Sequence, residues 1–330
     1  MPTTRPTTVA AVVLDRYGPA DVLHLAEVPR PVPRPGEVLV RVAAVAVSAA
    51  EAAMRAADPP VARLATGLRG PRNRVMGAEI AGEVVEVGAD ADGALLGARV
   101  VAATGVSAGG YAELAAVPAA GVVRVPDGTD LVDAVAVTEG GLTALPFLRD
   151  HGEVGAGTRL LVIGAAGAVG ASAVQLAADL GAHVTGVCST PHVELVRSLG
   201  AAEVIDRTAG DPLERAGEYD VVLDAVGGSS YRRCRPHLAP HGIYLTTVPD
   251  LGVILRTPFA RVLRERRAAI AFTGLRSHAA KAADMAHLLD LAAQGRIEPV
   301  VDRRFPLAEA AAAHRYVEEG HKAGTVVLVP

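Results

Sequence analysis

An apolar run broken by three evenly spaced glycines, LLVIGAAGAVGASAVQLA from Leu160 to Ala177, constrains the fold of this chain more than any other feature. Its first residues read as a buried strand and its last as a helix, so the glycines occupy the turn between them. Gly164 lets the backbone bend sharply, Gly167 lets it approach a ligand, and Gly170 lets the helix pack closely on the strand. A helix that opens this way presents unpaired N–H groups and a partial positive charge of about half a unit. A diphosphate fits there, so Gly164, Ala165, Ala166, Gly167, Ala168, Val169 and Gly170 form the expected pyrophosphate cradle of a dinucleotide. The stretch is uncharged from Leu160 to Ala178, long enough to raise the question of a membrane span. Glycines at every third position, followed by Ser172 and Gln175, favour the centre of an α/β sheet instead.

The remaining segments arrange themselves around that unit. From Val9 to about Gly121, runs such as EVLVRVAAVAV, GEVVEVG and ARVVAA alternate with Gly and Pro, the texture of a β-rich domain with sharp turns. From about Val122 the strands RLLVIG, HVTGV, EVI, DVVLDAV and GIYLTTV alternate with helical stretches, which builds a doubly wound parallel sheet. The segment LGVILRTPFARVLRERR interrupts this order. Thr257-Pro258 reads as the N-cap and first position of a basic amphipathic helix, with Arg256, Arg261, Arg264, Arg266 and Arg267 on a solvated face. A strand over Ala268–Phe272, a helix over Ala279–Gln294, the strand VVDRRF, a helix over Leu307–Glu319 and TVVLVP close the chain.

Composition removes several function classes. At 330 residues the chain is long enough for two domains, and a net charge of -4 offers no basic field for nucleic acid. Its 2 cysteines, Cys188 and Cys234, furnish neither a disulfide framework nor a four-cysteine zinc site, which fits a reducing, cytoplasmic compartment. The opening MPTTRPTT lacks the apolar core of a secretory signal. The expected partner is therefore a small-molecule substrate, not nucleic acid or a membrane.

The end of the second strand of the parallel sheet selects the cofactor, because NAD is usually held there by a carboxylate. This chain has Ser189, Thr190 and His192 instead, with Arg207 after the third strand. Hydroxyls, an imidazole and a guanidinium suit a 2'-phosphate, so the expected cofactor is NADPH. Ser189 and Thr190 can also cap the helix beginning near Pro191, and Cys188 reads as a small buried filler.

With those residues in hand the chain resembles the medium-chain dehydrogenase/reductase superfamily, in its zinc-independent, quinone oxidoreductase-like branch. The resemblance rests on Gly77-Ala78-Glu79, Gly82 and Gly88, on Gly97-Ala98-Arg99-Val100 and on Gly110-Tyr111-Ala112-Glu113. It continues through Leu142-Thr143-Ala144, GAAGAVG, ELVRSLGA with VID, DAVG and the closing GTVVLV. It implies a GroES-like β-barrel catalytic domain from 1–121 and 295–330, a Rossmann domain over 122–294, and a homodimer formed through the outer strand of the Rossmann sheet. It also implies that Thr143, Val226 and Gly227 line the nicotinamide side.

The departures from that family are informative. Zinc-dependent members ligate the metal where this chain has Ser48 and Ala78, and a methyl group cannot ligate, so no metal is expected. Zinc-free members usually carry N-x-x-D where this chain has Ser48 and Glu51. Family members often have Lys or Arg at His192 and Tyr at Arg207, and many have Lys at Thr325. Without a Lewis acid, hydride transfer to a conjugated C=C bond (enone or enal) or a quinone is easier than to a simple carbonyl, because the developing charge spreads over an enolate or quinol. Ser48 is the candidate hydroxyl near the reacting carbon and Tyr111 a candidate proton donor. Two alternatives remain open at this point: a zinc-independent alcohol dehydrogenase or ketone reductase, and a non-catalytic NADPH-binding module.

Overall fold

The computed structural model describes residues 6–58, 60, 63–105, 109–215, 217–248, 250–259 and 265–330. The chain divides into two compact units, one made of Met1–Glu139, Gly274–Asp290 and Val301–Pro330, the other of Gly140–Thr273 and Leu291–Val300. Residues 122–139 and 274–290, which the sequence reading groups with the dinucleotide-binding part, pack with the first unit.

In chain order the first unit contains β1 (Thr8–Leu14), β2 (Leu23–Pro29), β3 (Glu37–Val47), α1 (Ala49–Ala56), α2 (Arg63–Thr66), β4 (Glu79–Val87), β5 (Arg99–Ala103), β6 (Leu114–Pro118) and β7 (Val122–Arg124). The helix α3 (Leu131–Pro146) leads from it into the second unit. There follow β8 (Arg159–Ile163), α4 (Ala168–Asp179), β9 (His183–Cys188), α5 (Val193–Ser198), β10 (Glu203–Asp206), β11 (Tyr219–Asp224), α6 (Tyr231–Cys234), β12 (Leu238–Thr246), α7 (Leu251–Arg256) and β13 (Arg267–Ile270). The chain ends with α8 (His278–Ala293), β14 (Val301–Pro306), α9 (Ala310–Glu318) and β15 (Thr325–Val329).

The second unit holds a sheet ordered β10-β9-β8-β11-β12-β13 with every pair parallel. Its first strand in sequence is central and the order reverses beside it, so the expected doubly wound sheet is borne out. The apolar stretch from Leu160 accordingly divides into β8 and α4. Its strands carry the near-continuous apolar residues of a sheet covered on both faces, with Leu161, Val222 and Tyr244 among its core. In the first unit β3 is the organising strand, pairing antiparallel with β4, β6 and β15 over eleven residues whose side chains are largely buried. The last strand of the chain thus completes a sheet begun near its start. α9 closes one side of that core through Ala310, Ala313 and Val317.

The basic helix expected to follow Thr257-Pro258 runs onto residues 260–264, outside the described residues, and a separate helix precedes it. That preceding helix starts at Leu251 because Asp250 accepts a hydrogen bond from Val253 N, which makes it the N-cap. Thr257 lies past the helix, donating to Val253 O and accepting from Ile270 N, so it ties the helix end to β13. Arg261 and Arg264 lie outside the described residues.

Gly82 in β4 faces the backbone of β3 so closely that a Cβ there would stand 2.1 Å from Arg41 O. Gly82→Ala is therefore expected to cost about 1–3 kcal/mol of stability through forced strand separation, read as a lower urea midpoint with an unchanged slope.

Candidate active site

The three glycines of the second unit answer to three different demands. Gly164 has φ +81°, and a Cβ on it would stand 2.6 Å from the Val226 side chain. A Cβ on Gly170 would stand 2.1 Å from Gly164 O, so α4 can press onto the end of β8 only without a side chain there. Gly167, the N-cap of α4, has φ −71° and nothing nearer than Gly164 O at 3.6 Å. No packing demand explains the absence of a side chain at 167. It leaves room above the first turn, where the N–H groups of Ala168, Val169 and Gly170 precede the first intrahelical bond, from Ala171 N to Gly167 O. That is the geometry of a phosphate cradle, and it fits the diphosphate of a dinucleotide. Gly140, which the sequence reading passed over, is a fourth demand: a Cβ there would stand 2.2 Å from Ala168 O.

The loop after β11 is fixed by one buried carboxylate. Asp224 accepts from Val226 N, Gly228 N and Ser229 N, and from the Tyr244 hydroxyl at 3.0 Å. These bonds hold Val226, which is exposed, and Gly227, at φ +67°, beside the end of β8. Thr143 is half-buried on α3 in the same unit.

At the other side of the turn, β9 and β10 end in register, with Cys188 opposite Asp206. Ser189 makes no capping bond. The Thr190 hydroxyl does not cap the helix either; it donates to Asp206 Oδ2 at 2.7 Å. Asp206 also accepts from Thr208 N and Thr208 Oγ1, and these hydrogen bonds hold its carboxyl below the usual range. Arg207 is exposed and His192 half-buried. Burial pushes the Cys188 thiol up to about 11, as suits an inert filler.

In the first unit the sequence candidates converge on a residue that the S-x-x-E spacing had marked only as a departure. Ser48 is the N-cap of α1 and forms a capping box with Glu51: Glu51 N donates to Ser48 Oγ at 3.1 Å and Ser48 N donates to Glu51 Oε2 at 3.0 Å. Glu51 is buried, and its Oε1 accepts from both Gly77 N and Ala78 N at 3.1 Å. Its Oε2 accepts from the Tyr111 hydroxyl at 3.1 Å. Tyr111 is fully buried, and its phenol oxygen lies 3.0 Å from His314 Nε2. Burial drives His314 down to about 3, with the Arg55 charge adding to it, so the imidazole is neutral. Since Tyr111 gives its single proton to Glu51, the His314 tautomer that matches it carries its proton on Nε2.

Two further carboxyls flank this group. Glu79, half-buried, is pushed up to about 8 by desolvation and then by the charges of Glu51 and Glu139. Desolvation pushes Glu51 up to about 7 against the pull of its donors, and raises Glu139. Thr325, which stands where many relatives have lysine, donates to Glu139 Oε2 at 3.2 Å. Among the described residues no three His, Cys, Asp or Glu side chains come together as a metal site.

Comparison with known proteins places these features in a family. A model of the alcohol dehydrogenase GroES-like domain matches residues 34–127, and a model of a zinc-binding dehydrogenase domain matches residues 199–328. A quinone oxidoreductase of Pseudomonas aeruginosa is 32% identical over 95% of this chain and 97% of its own length. The chain belongs to the medium-chain dehydrogenase/reductase superfamily, in its quinone oxidoreductase-like branch. A mitochondrial NAD(P)H oxidoreductase of Homo sapiens is 30% identical over 98% of this chain and 90% of its own length. The solved quinone oxidoreductase from Coxiella burnetii superposes with a TM-score of 0.86 at 26% identity, covering 98% of this chain and 99% of that one. This medium-chain reductase is therefore an oxidoreductase, and its family implies a nicotinamide cofactor.

Glu51 and Glu79 bind protons more tightly in the folded chain, at about 7 and about 8, than at the ordinary carboxylate value of 4.5. The folded state therefore holds more protons than the unfolded one between those limits, and these groups contribute stability that is lost as pH rises through 7 to 8. Going from about pH 5.5 to about pH 8.5, Glu79→Gln is expected to lose less urea stability than the natural chain. Glu51→Gln sets an amide NH2 against backbone donors and is expected to cost about 2–4 kcal/mol at either pH.

Proposed function

We propose that this chain is an NADPH-dependent reductase that transfers hydride, without zinc, to a conjugated C=C bond or a quinone. The observation that carries the reading is the open cradle at Gly167, where the backbone keeps a space that packing does not require. The cofactor, when bound, supplies the hydride. The chain's part is to bind and orient. Ala168, Val169 and Gly170 donate their N–H groups to the diphosphate, while Gly164, Ala165 and Ala166 shape the turn beneath it. Asp206, kept ionised, opposes a phosphate brought up to Thr190, so recognition of the 2'-phosphate falls mainly on Ser189, His192 and Arg207. Thr143, Val226 and Gly227 bound the nicotinamide side.

The choice of acceptor follows from what the first unit lacks in ligating power. Ala78 presents a methyl group where zinc-dependent relatives present histidine, and Ser48 stands where they present cysteine. An alkoxide then has no Lewis acid to form against, whereas an enolate or quinol needs only a hydrogen bond. The Ser48 proton points at Glu51 Oε2 across a long 3.4 Å and is the group this reading assigns to a substrate oxygen. A donor so placed is worth about 2.7–4 kcal/mol in a transition state. Tyr111, committed between Glu51 and His314, serves as a positioning residue for α1 and the Gly77 turn. The dimer and the cytoplasmic setting belong to the same reading, since β13 ends its sheet and both cysteines are buried free thiols.

Oxidation of NADPH and of NADH with an enone, a quinone and a saturated ketone tests this reading. NADPH consumption with the first two and not the third is expected, and Arg207→Glu is expected to raise the NADPH KM about tenfold while leaving that for NADH. Turnover of the ketone with the enone inert would assign a carbonyl reductase instead, and binding without consumption a non-catalytic module.

A further inference from the structure

The second unit carries a second cationic feature at the end of the sheet where β12 and β13 begin, away from the strand ends that hold the glycine turn. A groove of about 590 Å³ is lined there by Tyr231, Arg232, Arg235, Pro236, Arg256 and Arg266. Four of its six lining residues are arginines and none is acidic. Several other arginines of this chain of net charge -4 pair with carboxylates, as in Arg41 with Glu83, Arg159 with Asp220 and Arg296 with Asp179. Arg233, between two of the groove residues, pairs with Asp211 at 2.5 Å. Arg232 and Arg235 have no carboxylate partner among the described residues.

The groove is also held in shape. The Tyr231 hydroxyl donates to Arg266 O at 2.6 Å, and Arg266 Nε donates to Leu238 O at 2.7 Å, so both side chains are pinned to the starts of β12 and β13. The Arg256 guanidinium lies 5.5 Å from the centre of the Tyr231 ring and donates to Gly252 O at 2.7 Å. Like charges gathered without a counter-charge repel one another, and side chains fixed by their own backbone bonds cannot relax away. An anion with several oxygens relieves that repulsion, and the forked donors of arginine match phosphate oxygens. The volume exceeds what one phosphate fills and lies in the range of small-ligand pockets.

We propose that this groove binds a diphosphate group, carried by a soluble phosphorylated ligand, at a site separate from the dinucleotide cradle. The test is titration calorimetry with inorganic pyrophosphate on three variants. Gly167→Asp closes the dinucleotide cradle with a carboxylate at a position where aspartate is a good N-cap. The double variant Arg232→Glu, Arg235→Glu alters two exposed groove residues, and Arg16→Glu, Arg69→Glu is its charge-matched control. With both charge pairs placed in the Gly167→Asp background, so that only the groove is read, pyrophosphate is expected to bind Gly167→Asp alone and Gly167→Asp with the control pair alike, and Gly167→Asp with the groove pair about a hundredfold more weakly, with its thermal midpoint unchanged. Equal binding by the groove variant, loss of binding in Gly167→Asp, or equal loss in the control overturns the proposal. So does sedimentation with phosphatidylglycerol vesicles in the absence of pyrophosphate binding, which would make the arginines a lipid-facing patch.

Discussion

The approach of α4 to the end of β8 depends on a backbone contact that no side chain can occupy. A Cβ at residue 170 would stand 2.1 Å from Gly164 O, and one at residue 164 would meet Val226 at 2.6 Å. Because helix and strand meet this closely, the first turn of α4 opens directly over the strand ends, where its N–H groups have no intrahelical acceptor. The same closeness brings α3 against α4 through Gly140 and brings the Asp224-held loop against the turn. The doubly wound order then puts this opening at the point where the sheet reverses, between β8 and the strands on either side.

The first unit depends in a comparable way on a single carboxylate. Glu51 gathers hydrogen bonds from Ser48 N, Gly77 N, Ala78 N and the Tyr111 hydroxyl, and so ties the start of α1 to the turn before β4 and to the strand pairing near β6. Burying a carboxyl is costly, and four donors offset that cost. Burial is the main reason protons are held more tightly on Glu51, Glu79 and Glu139 than on ordinary carboxyls, and the charge of Glu139 adds to it at Glu51 and Glu79. The Ser48 hydroxyl, which sequence alone nominates for chemistry, is part of this capping arrangement, and any donation it makes to a substrate competes only with a long contact to Glu51.

Most of the parallel sheet was legible in the sequence because its strands carry short apolar stretches such as LLVI and VVL ended by glycine or a polar turn, and LLVIGAAGAVG declares strand, turn and helix together. What sequence hid was pairing at a distance. S-x-x-E reads as a degraded N-x-x-D motif, and only the fold reveals that Glu51 reaches Gly77 and Tyr111. Thr190 read as a phosphate donor, but Asp206 on the neighbouring strand takes its proton. Asp250, which the sequence did not single out, caps the helix over Leu251–Arg256, whose Val253 and Ile254 pack against the core. The arginines of the basic segment looked like a solvated helix face, whereas Arg256 and Arg266 join Arg232 and Arg235 from another helix.

Titration of NADPH into the natural chain and into Gly167→Asp reads whether the opening of α4 holds the cofactor's diphosphate. One binding event per chain is expected, weakened by about a hundredfold or more in the variant, in which a carboxylate replaces the diphosphate at the helix opening without loss of thermal stability. Equal affinity in the two proteins, or no heat from either, would contradict that placement of the diphosphate.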